Sequence, residues 1–600
     1  MIHLPDPKKG LWEQNNRSSV LGTLFASLGL DLTTQLGPTK VSPRFILTTN
    51  GITNLGCPVA FKQFNGKIWT VAGSYIFINP GTKTETPFVQ AALGSDPTDN
   101  SSDYSDLEVY NSKLWTAGAD TLRYTDGATW GKIDTGGGTS GLTSTAPHKL
   151  LVYPQQNRIY INDGGRVRST DGTAGTLPTT GQYTFSFNNI LSALTAISLV
   201  DTGSNILILT VNPFDDRGYI IAWDGITQDT PDSSFGGGII RLDSRGALAG
   251  IMKNGTPYII TVDGRLQYYN GQTFVDAKNP WLPVSLKKYL KNPFNTTNDR
   301  WIHPNGITLV NGRINILINN ENYDVNTTIN ESLPSGVWEY DEDIGWYSKG
   351  LLSLFDLSVG TISDYGQNRL ARVGALFNLR SANNSSDTYI GQILAGANYN
   401  KDNSTVVSGV WTDDALDSIQ KSGYLVTVKL MASKAQESWQ KFFAIIKKML
   451  NSTDEIIIKY RTSESSSLEV PIQWLNSTSF MTSSDVSAYG IGDEVEGTSG
   501  VGSGRTAHIS LAPVNSGGTW TVTLDESLGA SRTSGTARAR FQHWIKLTNP
   551  QGKAFTNDTV DSLIQLGSMG VSQWVQVKLC MIFTGNNELY SIMIENSPYQ

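Results

Sequence analysis

Short runs of alternating apolar and polar residues, separated by turn-forming pairs, fill the first two thirds of the chain. Phe64-Asn65-Gly66-Lys67-Ile68-Trp69-Thr70 is echoed by Tyr110-Asn111-Ser112-Lys113-Leu114-Trp115-Thr116, about 46 residues later. Further echoes are Asn157-Arg158-Ile159-Tyr160-Ile161, Ser204-Asn205-Ile206-Leu207-Ile208, Asn254-Gly255-Thr256-Pro257-Tyr258-Ile259-Ile260 and Val310-Asn311-Gly312-Arg313-Ile314-Asn315-Ile316. Each copy reads as a strand, a tight turn of the Asn-Gly kind and a second strand, which is the hairpin signature. After most copies a Gly-rich step leads to another pair of strand-like pieces. Examples are Gly264-Arg265-Leu266-Gln267-Tyr268-Tyr269-Asn270-Gly271, and Val337-Trp338-Glu339-Tyr340 with Gly345-Trp346-Tyr347.

Four short strands per unit, at a period of roughly 45 to 50 residues, is what a β-propeller blade requires. The pattern predicts an all-β protein with a β-propeller of about seven blades over residues 43–400. A β-sandwich with long loops is the alternative.

The last third reads differently. Residues 401–479 and 546–600 are expected to form a β-sandwich, with 480–545 as a small β-barrel-like insertion. Ser433-Lys434-Ala435-Gln436 looks like a helix capping box ahead of Trp439, Phe442, Phe443, Ile446 and Leu450. The same stretch also reads as a strand, Lys441 to Met449, and the preferred reading is a hairpin with Glu455–Arg461. Residues 1–42 have little periodicity and are expected to be an extended arm that orders against a neighbouring subunit. The segment from Ser591 to Gln600 begins as a strand and is expected to lie at an intersubunit edge.

Composition sharpens this reading. Only 16% of residues are charged, and Gly, Asn, Ser and Thr take their place, as many turns between many strands demand. The net charge of −7, with no basic run of five residues, argues against a surface that grips nucleic acid or an anionic membrane. It leaves room for an acidic wall past which DNA slides. With Cys57 and Cys580 alone, neither a disulfide framework nor a thiolate zinc site is expected. Met1-Ile2-His3-Leu4-Pro5-Asp6 lacks a basic region followed by an apolar stretch, so synthesis in a cytoplasm is expected. No apolar run is long enough for a membrane helix. Asn-x-Ser/Thr triplets at Asn295, Asn326, Asn451 and Asn476 are read as chance in an Asn/Ser/Thr-rich chain.

Candidate chemistry is sparse. His3, His148, His303, His508 and His543 never fall at metal-ligand spacing, and there is no Gly-x-Ser-x-Gly elbow. Gly497–Thr506 lacks the lysine and the following helix of a phosphate loop and is read as a flexible hairpin tip. Thr125-Asp126-Gly127-Ala128-Thr129-Trp130 is close to the Asp-box turn of sialidase blades but one residue short, and Ser169-Thr170-Asp171-Gly172 is further from it. That motif is a structural turn. Glu339, Asp341, Glu342 and Asp343 could supply a carboxylate pair, but strand alternation at a blade edge places them in solvent. Trp69, Trp115, Trp223, Tyr268 and Trp346 are expected to pack between blades, with sugar stacking as the alternative. No catalytic, cofactor-binding or metal-ligating residue is assigned, and no cofactor is expected.

Two segments carry a resemblance. The first is the opening, Leu11-Trp12-Glu13-Gln14-Asn15-Asn16 through Gly29-Leu30-Asp31-Leu32-Thr33-Thr34 to Val41-Ser42-Pro43-Arg44. The second is Gly492-Asp493-Glu494-Val495, Gly502-Ser503-Gly504, His508-Ile509, Thr523-Leu524-Asp525-Glu526 and Phe541-Gln542-His543-Trp544. Together they resemble structural tail proteins of tailed bacteriophages, nearest in architecture to the nozzle or tail-tube proteins of short-tailed phages. The resemblance covers most of the chain in organisation and rests on no diagnostic motif; this chain is also shorter than the familiar nozzle proteins. It implies a non-enzymatic virion component and a homo-oligomeric ring, expected to be hexameric. DNA would pass through its channel without specific binding, and other tail and connector proteins would be its partners. The alternative is a receptor- or glycan-binding tail-tip protein.

Overall fold

In the computed structural model the described residues are 2–4, 24–28, 30–31, 39–41, 46–47, 57–79, 89–90, 105–118, 122–133, 142, 148–173, 177–178, 180–187, 194–212, 217–282, 302–318, 336–342, 345–351, 355–356, 361–362, 372–378, 393–400, 406–412, 422–427, 430–431, 437–446, 455–462, 467–476, 478–489, 493–499, 506–524, 536–542, 545–546, 571–572, 574–582 and 588–598. Among them the fold is all-β, with a 3-10 turn at Pro154–Gln156 and no α-helix.

Between Ile46 and Thr412 the strands form seven four-stranded antiparallel sheets. Six are meanders of consecutive strands. Their first strands are Pro58–Phe64 (sheet 1), Asp106–Tyr110 (sheet 2), Leu150–Tyr153 (sheet 3), Thr195–Asp201 (sheet 4), Ala247–Lys253 (sheet 5) and Ile307–Val310 (sheet 6). Sheet 7 takes three strands from Arg372–Asn378, Ile393–Asn400 and Val406–Thr412, and its fourth is Ile46–Leu47 from near the other end of the chain. The third strand of sheet 7 thus lies past the expected boundary at residue 400.

The first strand of each sheet contacts the first strand of the next, and that of sheet 7 contacts that of sheet 1. The cycle closes. Seven apolar clusters fill its seven seams. Val59, Trp69 and Val71 meet Leu107 and Leu114 between sheets 1 and 2. Val310, Leu317 and Val337 meet Val373 and Ile393 between sheets 6 and 7. At the closure, Ala375, Leu394 and Val410 of sheet 7 meet Phe61, Ile68 and Phe77 of sheet 1. Each sheet therefore buries both faces, and Ile206–Val211 of sheet 4 is buried at every position.

Local chemistry makes the hairpins. Asn65-Gly66, Asn254-Gly255 and Asn311-Gly312 sit at positive φ in both central turn positions, the arrangement of a type I′ turn, as do Asn111 and Ser112. These are the turns of the predicted repeat. A second device recurs between the third and fourth strands of sheets 2 to 5. Asp126 Oδ1 accepts the N–H groups of Ala128 and Thr129 at 2.8 and 2.9 Å. Asp224 does the same with Ile226 and Thr227, and Asn270 with Gln272 and Thr273, while Asp171 accepts the N–H of Thr173. The intervening Gly225 has φ +79, and a Cβ there would stand 3.1 Å from the Tyr160 hydroxyl of the preceding sheet.

The remaining described strands form two six-stranded sheets, a barrel and a two-stranded sheet of Phe355–Asp356 with Thr361–Ile362. In sheet 8, Glu588–Pro598 is flanked by Glu437–Ile446 on one side and by Thr39–Val41 and Ile2–Leu4 on the other. In sheet 9, Trp574–Ile582 lies between Glu455–Thr462 and Ser422–Thr427, and Leu24–Leu28 adds to Ser422–Thr427.

The strands of the N-terminal segment pair with strands in the last third of the sequence, in sheets 8 and 9. Two expectations are corrected here. The strand that covers most of Ser591–Gln600 is Glu588–Pro598; it is interior to sheet 8 up to Ile594, with Ile592–Ile594 paired on both sides, and only its end from Glu595 pairs on one side. Residues Glu437–Ile446 are a strand, but they pair in sheet 8, whereas Glu455–Thr462 pairs in sheet 9, so the two form no hairpin.

The barrel is a closed circuit of six strands: Ser467–Trp474, Ser479–Thr482, Thr519–Leu524, Thr506–Ser516, Glu494–Ser499 and Thr536–Gln542. Val470, Phe480, Val495, Val522 and Phe541 fill it. It starts at Ser467, ahead of the expected 480, because the Pro471-containing strand pairs with Thr536–Gln542. The tip at 500–505 of the Gly497–Thr506 stretch lies outside the described residues.

Candidate functional site: the polar centre of the seven sheets

The densest polar constellation lies where the first strands converge. Asp106 heads the first strand of sheet 2 and is 2% exposed. Its Oδ1 accepts the Leu107 N–H at 2.9 Å and the Asn305 side-chain amide at 2.8 Å. Its Oδ2 accepts the Leu150 N–H at 2.7 Å and faces Lys149 Nζ at 3.1 Å. The two oxygens thus serve four donors from sheets 2, 3 and 6. Asn305, just ahead of sheet 6, also donates to the Val59 carbonyl of sheet 1 at 2.9 Å and accepts from Lys149 Nζ. Its amide orientation follows from chemistry: an ammonium can face only the oxygen, and a carboxylate only the nitrogen.

Two histidines border this centre. His148 is buried, and its Nδ1–H donates to the Asn162 carbonyl at 2.8 Å. His303 Nδ1 accepts the Asn305 N–H at 3.1 Å, which orients Asn305. The side chains of His3 and His508 are outside the described residues, as is all of His543. Among the described residues no cluster of three or more His, Cys, Asp or Glu could hold a metal ion.

A second buried network lies on sheet 6. Glu339 is 3% exposed, which corrects the expectation of a solvent-facing carboxylate. Both faces of this sheet are covered, so alternation offers it no wet side. Its oxygens accept from Tyr347, from Lys349 at 2.5 Å and from Arg313 at 3.1 Å. Burial pushes the Glu339 carboxyl up, but Lys349, Tyr347 and Arg313 together outweigh it and hold the group below the usual carboxylate value. Burial beside that carboxylate drives the Tyr347 phenol far upward. Asp341 is 2.9 Å from Arg313. Glu342 is exposed and meets Lys253 at 3.3 Å, and Asp343 lies outside the described residues.

The aromatic candidates separate cleanly. Trp69, Trp115, Trp223 and Trp346 are buried. Their indole N–H groups donate to the carbonyls of Phe64, Tyr110, Thr227 and Pro280 at 2.7 to 3.1 Å. Tyr268 is half-buried and lies 5.7 Å from the Tyr258 ring across the strand pair. The Asp126 and Asp171 turns are the local caps described above, and each also latches to the sheet before it. Asn65 donates to the Asp126 carbonyl at 3.1 Å, and the Tyr110 hydroxyl donates to the Asp171 carbonyl at 3.3 Å.

Asp106, Lys149 and Asn305 were not visible as a site in the sequence. The available signal was an acidic residue at the head of the first strand, where Asp106 is buried.

No family model matches the chain, and no curated protein matches it. Among solved structures it is similar to a computationally designed protein, Ika8, at 10% identity and a TM-score of 0.33, over 61% of this chain and 99% of that one. It is similar to the extracellular domain of a hybrid two component system from B. thetaiotaomicron at 10% identity and a TM-score of 0.36, over 73% of this chain and 57% of that one. It therefore spans little more than half of that domain's length. The AfRom2 CNH domain is similar at 10% identity and a TM-score of 0.32, over 61% of this chain and 97% of that one.

Proposed function

We propose that the chain is a non-enzymatic structural component of a bacteriophage tail. In this reading the seven sheets are the blades of a β-propeller, and sheets 8 and 9 are a β-sandwich carrying the barrel. Copies assemble as a ring around a channel for DNA, six being the expected number, and dock to other tail and connector proteins in the virion. The observation that carries the reading is the architecture: a closed cycle of seven sheets joined to two further sheets that are built from both ends of the chain. That organisation resembles the nozzle proteins of short-tailed phages.

The polar networks support a scaffold. Asp106 spends its four acceptor contacts on strands of three sheets. Glu339 is held ionised between Arg313 and Lys349, so it is unsuited to donate the proton that glycoside cleavage needs. Since Asn305 bridges sheets 6, 1 and 2 across the centre, the DNA channel of this reading runs between copies, not through one chain.

Negative-stain electron microscopy of the purified chain tests the proposal. Closed rings of several copies around a stain-filled hole are expected. Isolated single chains at every concentration would overturn it. A glycan-binding tail-tip role is favoured by one feature, the half-buried Tyr258–Tyr268 pair with Lys253 5.6 Å from the Tyr258 ring. Binding on a glycan array that is lost in Tyr268→Ala would select that reading.

A further inference from the structure

Among the described residues four large apolar side chains are exposed: Ile239, Leu475, Leu511 and Val514. Three of the four belong to the barrel, and Leu511 and Val514 are the most exposed, at 60% and 62%. They lie on one face. Leu511 pairs with Thr523 and Val514 with Thr521, partners two residues apart, and a bulge between them absorbs the odd residue. Met481 of the next strand pairs with Thr521 and extends the face. Leu475 joins at its margin, where its N–H donates to Ser479, the partner of Thr523.

This face has no formal charge. Neither Leu475–Ser484 nor Thr506–Leu524 contains Asp, Glu, Lys or Arg. The other side of the same barrel is its opposite: Arg538 and Arg540 bracket Glu469 at 2.8 and 3.3 Å, and Arg540 reaches Glu496 at 3.4 Å. One side carries an ion-pair ladder and the other leucine, valine, methionine and threonine.

We propose that this uncharged barrel face is a contact surface for a second copy of this chain. The net charge of the chain selects the occupant. A chain of net charge −7 repels its own copies wherever acidic surfaces meet, and a face without charge is where two copies can approach without that cost. Nucleic acid would find no cation here. A lipid surface would first meet the exposed turn Asn515-Ser516-Gly517-Gly518, with the apolar residues on the flank behind it. The contact is made by side chains and not by strand addition, because Pro513 and the bulge interrupt the strand edge where another strand would pair.

The inference rests on the homo-oligomeric reading above and adds the surface. Mass photometry of the full chain tests it, comparing wild type with Leu511→Glu/Val514→Glu and, separately, Thr521→Lys. Circular dichroism melts confirm that each variant is folded. The expected result is a multi-subunit wild type and loss of that species in both variants. A wild-type assembly that persists in both folded variants overturns this surface while leaving the ring intact. A monomeric wild type overturns the surface and the ring together.

Discussion

The side-chain amide of Asn305 donates to Oδ1 of Asp106 at 2.8 Å, although 199 positions separate them and their sheets, 6 and 2, are not neighbours in the cycle. The seams between successive sheets are apolar and non-directional, and such contacts tolerate sliding. A hydrogen bond between Asn305 and Asp106 has direction and length, so it fixes the spacing of sheets 6 and 2.

Asn305→Ala is therefore expected to cost about 1–2 kcal/mol of local stability, since it leaves acceptors on Asp106 and Val59 unmet. Asp106→Asn should cost more, about 3 kcal/mol, because Lys149 loses its buried counter-charge. Hydrogen exchange of the first strands of sheets 1, 2 and 3 reads both. Unchanged protection in those strands would show that the centre is incidental.

The Asx turns make a second expectation. Gly225 has positive φ and faces Tyr153 and Tyr160, so Gly225→Ala combines a backbone penalty of about 1–2 kcal/mol with a clash against two rings. It should also break the bond that the Tyr160 hydroxyl makes to the Gly225 carbonyl at 2.7 Å. Gly255→Ala has similar φ with nothing within 4 Å of the new Cβ, and should show the backbone penalty alone. Urea melts of the pair, followed by tryptophan fluorescence, separate the two effects. Equal losses would remove the packing argument.

Acid stability should report on Glu339. Its carboxyl is held below the ordinary value of 4.5, so the unfolded chain takes up this proton before the folded one does. The stabilisation is present above that value and is lost as pH falls through the folded pKa. Glu339→Gln should cost about 2 kcal/mol near neutral pH and remove part of the acid-induced loss. Melting temperatures of both proteins across the acid range test this, and parallel curves would contradict it.

The parts of the fold that the sequence made legible are those written within a few residues. Asn65-Gly66, Asn254-Gly255 and Asn311-Gly312 announce their hairpins because the turn itself demands positive φ. The copy at Ser204–Ile208 leads into Ile206–Val211, which is buried on both faces and therefore lacks the alternation that marks a strand. Glu339 was misplaced for the same reason, alternation having been taken to imply a wet side. Asp106, Lys149 and Asn305 could not be joined by any local rule, because their contacts come from closing the cycle. The strands Ile2–Leu4 and Leu24–Leu28 were missed because each is short and its partner lies hundreds of residues away.

That distant pairing yields the last expectation. Deleting residues 1–42 removes Ile2–Leu4 and Thr39–Val41 from one side of Glu588–Pro598, and Leu24–Leu28 from the edge of sheet 9. It leaves Ile46–Leu47 in place to complete sheet 7. A central strand stripped along one side becomes an unpaired edge of apolar sequence, Leu589 to Ile594, which invites aggregation. An intersubunit clasp would behave otherwise: its removal would release folded monomers with sheets 8 and 9 intact. Hydrogen exchange on the truncated chain distinguishes the two. Lost protection in Glu588–Pro598 and Glu437–Ile446, with protection in sheets 1 to 7 retained, is expected. A soluble monomer with sheet 8 fully protected would show that these strands serve a neighbour after all.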